Sequence, residues 1–530
     1  MKNRTLPSIH WCLTYFAIFL LAQSLYSQTK YTLGIDSGTT FQTMDNFGAA
    51  ACWFGEGVGK YWPSEKKEQI AKLLFSQQMD SLGNPEGIGL SAWRFNIGAG
   101  TFEQGDESGI KDFRKRVESF INPDGSYDWS KQEGYLWLVK NAKAYGVEKL
   151  IAFSNSPPVY FTKNGRGFKT EKDYTTNLKE DKFDDFAEFL ANVISHFKNE
   201  GLTFDYISPV NEPQWDWYGK FGEAKQEGSP WSNKDIAKLT KLLDKSLKEN
   251  DLKTEILLSE SAMLTFLYEG ERNSHSQVEA LFNPSSPNYV GNLEHVAPLI
   301  AGHSYFTDTS NERMVDIRRK VKQVTEENNI AFWQSEYSML GDGFREGTEK
   351  KLTAMDCALF LAKVIHFDLT VANASAWQFW NSMEPGNPDF DTRYYFLALE
   401  PNEDHTDGNF YPVKTLWAMG HYSYFVRPGM TRIKVQGPIL SGELNSELMT
   451  SAFMDEKDGK IVMVLINYSS EDIPVNFETE QLKGYKLFQQ YLTTEETGMD
   501  LKKTKEGDLE ETVELPKRSI STLVFQKNKL

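Results

Sequence analysis

Two apolar runs of the same design each end on a carboxylic acid. Residues 204–213 read Phe-Asp-Tyr-Ile-Ser-Pro-Val-Asn-Glu-Pro and close on Asn211, Glu212 and Pro213. Residues 330–337 read Ile-Ala-Phe-Trp-Gln-Ser-Glu-Tyr and carry Glu336 near their end. Alone, Glu212 reads as a strand-end acid on a solvated loop. A second strand of the same pattern changes that, because cleaving a glycosidic bond requires a pair of carboxyls. One must stay protonated to donate to the leaving oxygen, and the other must be ionised to act at the anomeric carbon. A separation of roughly 5–5.5 Å retains configuration and roughly 6.5–9.5 Å inverts it; sequence leaves both open. The segment after Glu212 holds Trp215, Trp217, Tyr218 and Trp231, an aromatic lining suited to carbohydrate.

Rival chemistries lack their residues. The eight histidines form no His-x-x-x-His pair and no clustered ligand set, so no metal is expected. There is no Gly-x-Ser-x-Gly elbow and no phosphate-binding loop, and no cofactor is expected. Glu260 also ends a strand, Leu257–Ser261, and competes for the catalytic role. Opposition of strands favours Glu336, which leaves Glu260 as a wall or hydrogen-bonding residue. His303, within Gly302–Phe306, joins the site candidates, although a lone strand histidine is more often structural.

The elements that must position these acids form a repeating pattern. Strand-like runs occur at Asn46–Ala51, Ser91–Ile97, Lys149–Ser156, Phe204–Val210, Glu255–Ser261, Leu299–Phe306, Ile330–Tyr337 and Ala374–Trp380. Helical periodicity lies between them, most clearly at Asp181–Glu200, where Phe183, Phe186, Leu190, Val193 and Phe197 share a face. Eight strands alternating with helices predict an α/β chain with a parallel (β/α)8 barrel at 46–426. Glu212 and Glu336 then end its fourth and seventh strands, facing each other across the mouth. The long connections Gly98–Trp129, Phe161–Asp181, Gln214–Ser232, Ala262–Pro298 and Asn381–Pro412 all follow strands, and wall a cleft on the carboxyl face.

From Arg427-Pro428-Gly429 onward come short strands with turns, so 427–530 is predicted to be an all-β side domain. Tyr31–Met44 has no helix after it, and 28–45 is assigned to that domain as an extra strand. The charged stretch Thr493–Glu511 reads as a solvated hairpin or loop. Met1–Ser27 has Lys2 and Arg4 before a short apolar stretch, the pattern of a signal peptide. The chain is therefore expected to be secreted or periplasmic, with no membrane span, and monomeric. Cys52 and Cys357 read as small buried residues. A formal charge of −17 excludes nucleic acid and anionic lipid as natural partners. All 13 tryptophans fall at or before Trp417, so the aromatic enrichment belongs to the barrel.

The set of motifs resembles glycoside hydrolase family 30. It comprises the runs around Glu212 and Glu336, Trp93–Gly98, Ser154–Pro158 and the Arg427–Gly429 hinge. The resemblance implies a retaining double displacement and a side β-sandwich built from both chain ends. Glu212 matches the acid/base and Glu336 the nucleophile. Asn211 matches an amide that bonds the sugar 2-hydroxyl, and Arg94 an arginine that keeps the nucleophile ionised. Tyr305 matches a tyrosine near the nucleophile, and Trp380 a platform under the innermost sugar. Trp53, Trp215, Trp217 and Trp231 are weaker candidates, about half of them expected to touch substrate. The aromatic loops, with Phe47–Gly55 and Pro213–Trp217, are similar to members that cut β-1,6-galactan. The implied activity is therefore an endo-β-1,6-galactanase acting on polysaccharide such as arabinogalactan side chains. A β-1,6-glucanase or a glucosylceramidase-like exo-β-glycosidase is the alternative. A non-catalytic glycan-binding barrel is the alternative of another class, disfavoured because binding alone needs no opposed acids.

Overall fold

The structure, a computed structural model, describes residues 31–437, 447–478, 482, 484–508 and 512–527. The signal peptide expected at 1–27 lies outside the described residues. After strand β1 (Tyr31–Thr43), eight parallel strands close a barrel in chain order. They are β2 (Asn46–Ala50), β3 (Ala92–Asn96), β4 (Lys149–Phe153), β5 (Tyr206–Ser208), β6 (Glu255–Ser261), β7 (Val296–His303), β8 (Ala331–Tyr337) and β9 (Ala376–Phe379). Each falls on one of the apolar runs. Large Tyr206, Leu257 and Trp333 alternate inside the tube with Ala92, Ala297, Ala301 and Ala376. That alternation lets side-chain layers from opposite strands interdigitate; Tyr206 and Trp333 meet edge-on with ring centroids 4.8 Å apart.

Helix Phe183–Asn199 buries the predicted stripe of Phe183, Phe186, Leu190, Val193 and Phe197. Helix Ala354–Thr370 is buried nearly all round, from Met355 to Leu369. It packs against another helix, Lys414–Ser423, and under strands of the side domain, so no face is left for water. Capping boxes, Ser232 with Asp235 and Thr353 with Asp356, satisfy the first amides of Asn233–Glu249 and Ala354–Thr370. The connection after β9, expected as a long loop, contains a small sheet of β10 (Met383–Pro385), β11 (Leu397–Pro401) and β12 (Gly408–Pro412).

The side domain adds β13 (Thr431–Gln436), β14 (Leu448–Asp455), β15 (Lys460–Asn467), β16 (Ile473–Phe477), β17 (Tyr485–Thr493), β18 (Lys502–Gly507), β19 (Thr512–Leu515) and β20 (Ser519–Lys527). Their order is β18-β17-β20-β15-β14-β13-β1-β16-β19. Strand β1 lies inside this sheet, antiparallel to β13 and parallel to β16. The sheet folds over, so that Leu33, Val435, Met463 and Leu523 share a core with Val475, Phe477, Val513 and Leu515. Within Thr493–Glu511 the described residues form the β17–β18 hairpin, one of the two forms expected. The other face of the side sheet packs on helices Ala354–Thr370 and Lys414–Ser423, and at the hinge Arg427 grips Glu148 through two bonds of 2.7 and 2.8 Å. Cys52 and Cys357 are free and buried. Among the described residues no helix is long and apolar enough to cross a membrane.

Candidate active site

Strand ends β5 to β8 deliver the acids through strained backbone. Glu212 and Glu260 have φ of 45° and 50°, a left-handed conformation that costs a non-glycine residue about 1–3 kcal/mol. The surroundings hold it. The Glu212 N–H donates to the Glu260 carbonyl at 2.9 Å, and Trp217 Nε1–H donates to the Glu212 carbonyl at 3.1 Å. The Trp217 ring in turn lies on Gly228, where an added Cβ would come within 2.2 Å of it.

The side chains form one network. Arg94 Nη1 lies 2.6 Å from Glu336 Oε2, and its Nη2 lies 3.5 Å from Glu260 Oε1. Tyr305 donates its hydroxyl to Glu336 Oε1 at 3.1 Å. His303 bridges Glu212 Oε1 at 3.0 Å and Glu260 Oε2 at 3.1 Å. Ser208 and Ser335 donate to Glu260. Burial works against the charge on His303, yet Glu336, Glu212 and Glu260 hold its pKa at about 10. With both ring nitrogens protonated, it donates to both acids. Burial also opposes ionisation of Glu260, but Arg94, His303 and Ser335 keep it at about 2. For Glu212 burial wins over the His303 bond, and its carboxyl titrates above the ordinary range. Arg94 and His303 thus hold Glu260 as a carboxylate, and Glu212 is the acid placed to keep a proton.

An oxygen of Glu212 and one of Glu336 lie within 4.8 Å of each other at the base of a cleft of about 790 Å³. Asn211, Tyr305, Trp380, Trp53, Trp215 and Trp217 all line it. Asn211 donates through Nδ2 to Asn155 at 2.9 Å, which leaves its buried Oδ1 without a partner.

One candidate lies outside the cleft, and two act on it through the acids. Trp231 is a core residue, stacked on Phe186 and edge-on to Phe183, because the apolar stripe of Phe183–Asn199 captures its ring. Arg94 and His303 have fully buried side chains and meet the carboxylates from below, so they act on the acids and not on a ligand. Glu260 takes the second of the two roles expected of it, as the buried hydrogen-bonding acceptor that joins Arg94, His303, Ser208 and Ser335. Sequence reasoning missed Asn155, Lys115, Phe306, Glu384 and Tyr394 among the lining residues. Asn155 lies in Ser154–Pro158 and was within reach of it.

Glu212, His303 and Glu336 also offer three potential ligand atoms within 4.8 Å of one another. The donor set does not suit a metal: His303 is doubly protonated, and Arg94 already places a cation against Glu336.

Comparison with known proteins agrees with this geometry. The sequence profile of O-glycosyl hydrolase family 30 matches residues 30–393, and that of the family 30 beta sandwich domain matches residues 429–523. An endo-beta-1,6-galactanase of Hypocrea rufa is 21% identical over 489 residues, 89% of this chain and 86% of that protein. A conserved exported protein from Bacteroides fragilis superposes with a TM-score of 0.85 at 34% identity, over 93% of this chain and 100% of that one. The catalytic domain of a family 30 xylanase C from Talaromyces cellulolyticus gives 0.64 at 21% identity, over 94% and 100%. At that identity the likeness speaks for the fold alone.

Proposed function

Because the chain belongs to O-glycosyl hydrolase family 30, we propose that it cleaves β-linked polysaccharide with retention, by double displacement. Glu336 attacks the anomeric carbon while Glu212 gives its proton to the departing oxygen; Glu212 then takes a proton from the water that releases the sugar. Asn211 Oδ1 accepts from the sugar 2-hydroxyl, a contact that strengthens as charge develops nearby. Tyr305 and Arg94 orient Glu336, and His303 orients Glu212. One observation carries the reading. Carboxyl oxygens within 4.8 Å fit the close pairs of retaining enzymes, roughly 5–5.5 Å, better than the roughly 6.5–9.5 Å that leaves room for an inverting water.

In the same proposal the substrate is β-1,6-linked galactan, attacked internally, and the protein is exported. Support comes from the aromatic-walled open cleft, the galactanase relative, the leader-like residues 1–27 and the exported relative. The test is a panel of galactan, β-1,6-glucan, xylan and aryl glycosides, with the first-formed anomer followed by proton NMR. Galactan cleaved to the β-anomer is expected. The α-anomer first would refute retention, and cleavage of the glucan alone would refute the substrate. Glu336→Gln is expected to abolish turnover while glycan affinity stays within a few-fold.

A further inference from the structure

Among the charged residues of the cleft that the catalytic scheme leaves unused are Glu384 and Lys115. They flank the pair formed by Trp53 and Trp380, whose rings meet edge-on at 5.3 Å. Glu384 stands on β10, paired with β11 opposite Ala398, so its position is fixed by a sheet. Asn381 Nδ2 donates to its Oε1 at 3.2 Å. Among the described residues no other donor reaches the carboxyl, and no cation lies within 4.0 Å of it. The Lys115 ammonium sits 4.8 Å over the Trp53 ring, and among the described residues it too makes no ion pair. Both side chains are half-buried at the cleft wall and keep hydrogen-bonding capacity open toward it. A polyhydroxylated ring completes both, since its hydroxyls donate to a carboxylate and accept from an ammonium. A uronate would meet Glu384 as well as Lys115, which makes a neutral sugar the better occupant.

We propose that Glu384, with Lys115, binds ring hydroxyls of the sugar stacked on Trp380, and so determines which neutral hexose the cleft accepts. The inference rests on the glycosidase reading above, which puts a sugar on Trp380. Burial pushes the Glu384 carboxyl up to about 7, against the Asn381 bond. Hydroxyl donors favour the ionised form, so binding tightens as pH rises through 7.

The test compares 4-nitrophenyl β-1,6-galactobioside with its gluco counterpart on wild type, Glu384→Gln and Lys115→Met. For Glu384→Gln, KM for the preferred bioside is expected to rise about ten- to a hundredfold, with kcat within a few-fold. The ratio of kcat/KM between the two epimers falls toward one, and the decline of KM between pH 6 and 8 disappears. Lys115→Met raises KM by a smaller factor. Unchanged KM and unchanged epimer ratio in Glu384→Gln, with an active wild type, overturn this inference alone. A wild type that cleaves no glycoside overturns the reading beneath it. Should Glu384→Gln fail to fold, judged by its melting temperature, Glu384→Asp and Lys115→Met decide the same ratio.

Discussion

Replacing Glu227 by glutamine is expected to stabilise the protein, and increasingly so as pH rises. Glu227 is fully buried, accepting from Thr101 Oγ1 at 2.6 Å and from the Ala99 N–H at 3.1 Å. It ties the connection after β5 to the connection after β3, two walls of the cleft. With no cation beside it, burial raises its pKa from 4.5 to about 8. A raised carboxyl contributes fully below pH 4.5, where both states hold the proton, and loses stability as pH climbs toward 8. Two and a half pH units separate 4.5 from 7, and at about 1.4 kcal/mol each that is roughly 3 kcal/mol. The loss approaches roughly 5 kcal/mol once the folded form ionises as well. Glutamine keeps the shape, accepts from Ala99 through Oε1 and donates from Nε2 to Thr101 Oγ1 in a reversed bond, but has no carboxyl proton to retain. Urea unfolding followed by tryptophan fluorescence should therefore show little difference from wild type at pH 4 and about 3 kcal/mol at pH 7. A difference that does not change with pH, or a Glu227→Gln protein less stable than wild type at pH 8, would refute the reasoning.

Other outcomes follow from the same network. His303→Gln removes a cation whose bond lowers the Glu212 pKa, so the alkaline limb of the kcat/KM profile should move to higher pH; a move toward acid would contradict the assignment. Gly228→Ala should displace the Trp217 ring and its bond to the Glu212 carbonyl, lowering kcat/KM about three- to tenfold with folding intact; unaltered kinetics would show that the bond is idle. Trp231→Ala should cost roughly 3–5 kcal/mol of stability, seen in the unfolding midpoint, whereas Trp215→Ala should raise KM and leave that midpoint nearly unchanged.

Much of the barrel was legible because its strands are buried on both sides, and short apolar runs between turn residues say so without help from periodicity. The two acids were legible for the same reason, each ending such a run. Trp231 was not. Its neighbours Trp215 and Trp217 reach the cleft, but a helix placed by tertiary packing presents Phe183 and Phe186 to Trp231 first. The His303 bridge was invisible because its partners Glu212 and Glu260 come from two other strands, with backbones at positive φ that no residue type announces. Glu384 sits in Met-Glu-Pro, a stretch with no strand pattern; only pairing with β11, formed further along the chain, makes it a strand. β19 does not stand out in the sequence, because four residues alternating Val513 and Leu515 with polar neighbours are too few.

The place of β1 in the side sheet bears on how the molecule is made. A ribosome releases that strand long before β13 and β16 exist, so through the whole synthesis of the barrel it has neither neighbour to bond with. Its unpaired edges are then open to any strand that passes, including one from another nascent copy. The last fifth of the chain must recover a strand made before the barrel, and expression that stalls before β13 should yield a closed barrel trailing an adhesive thread.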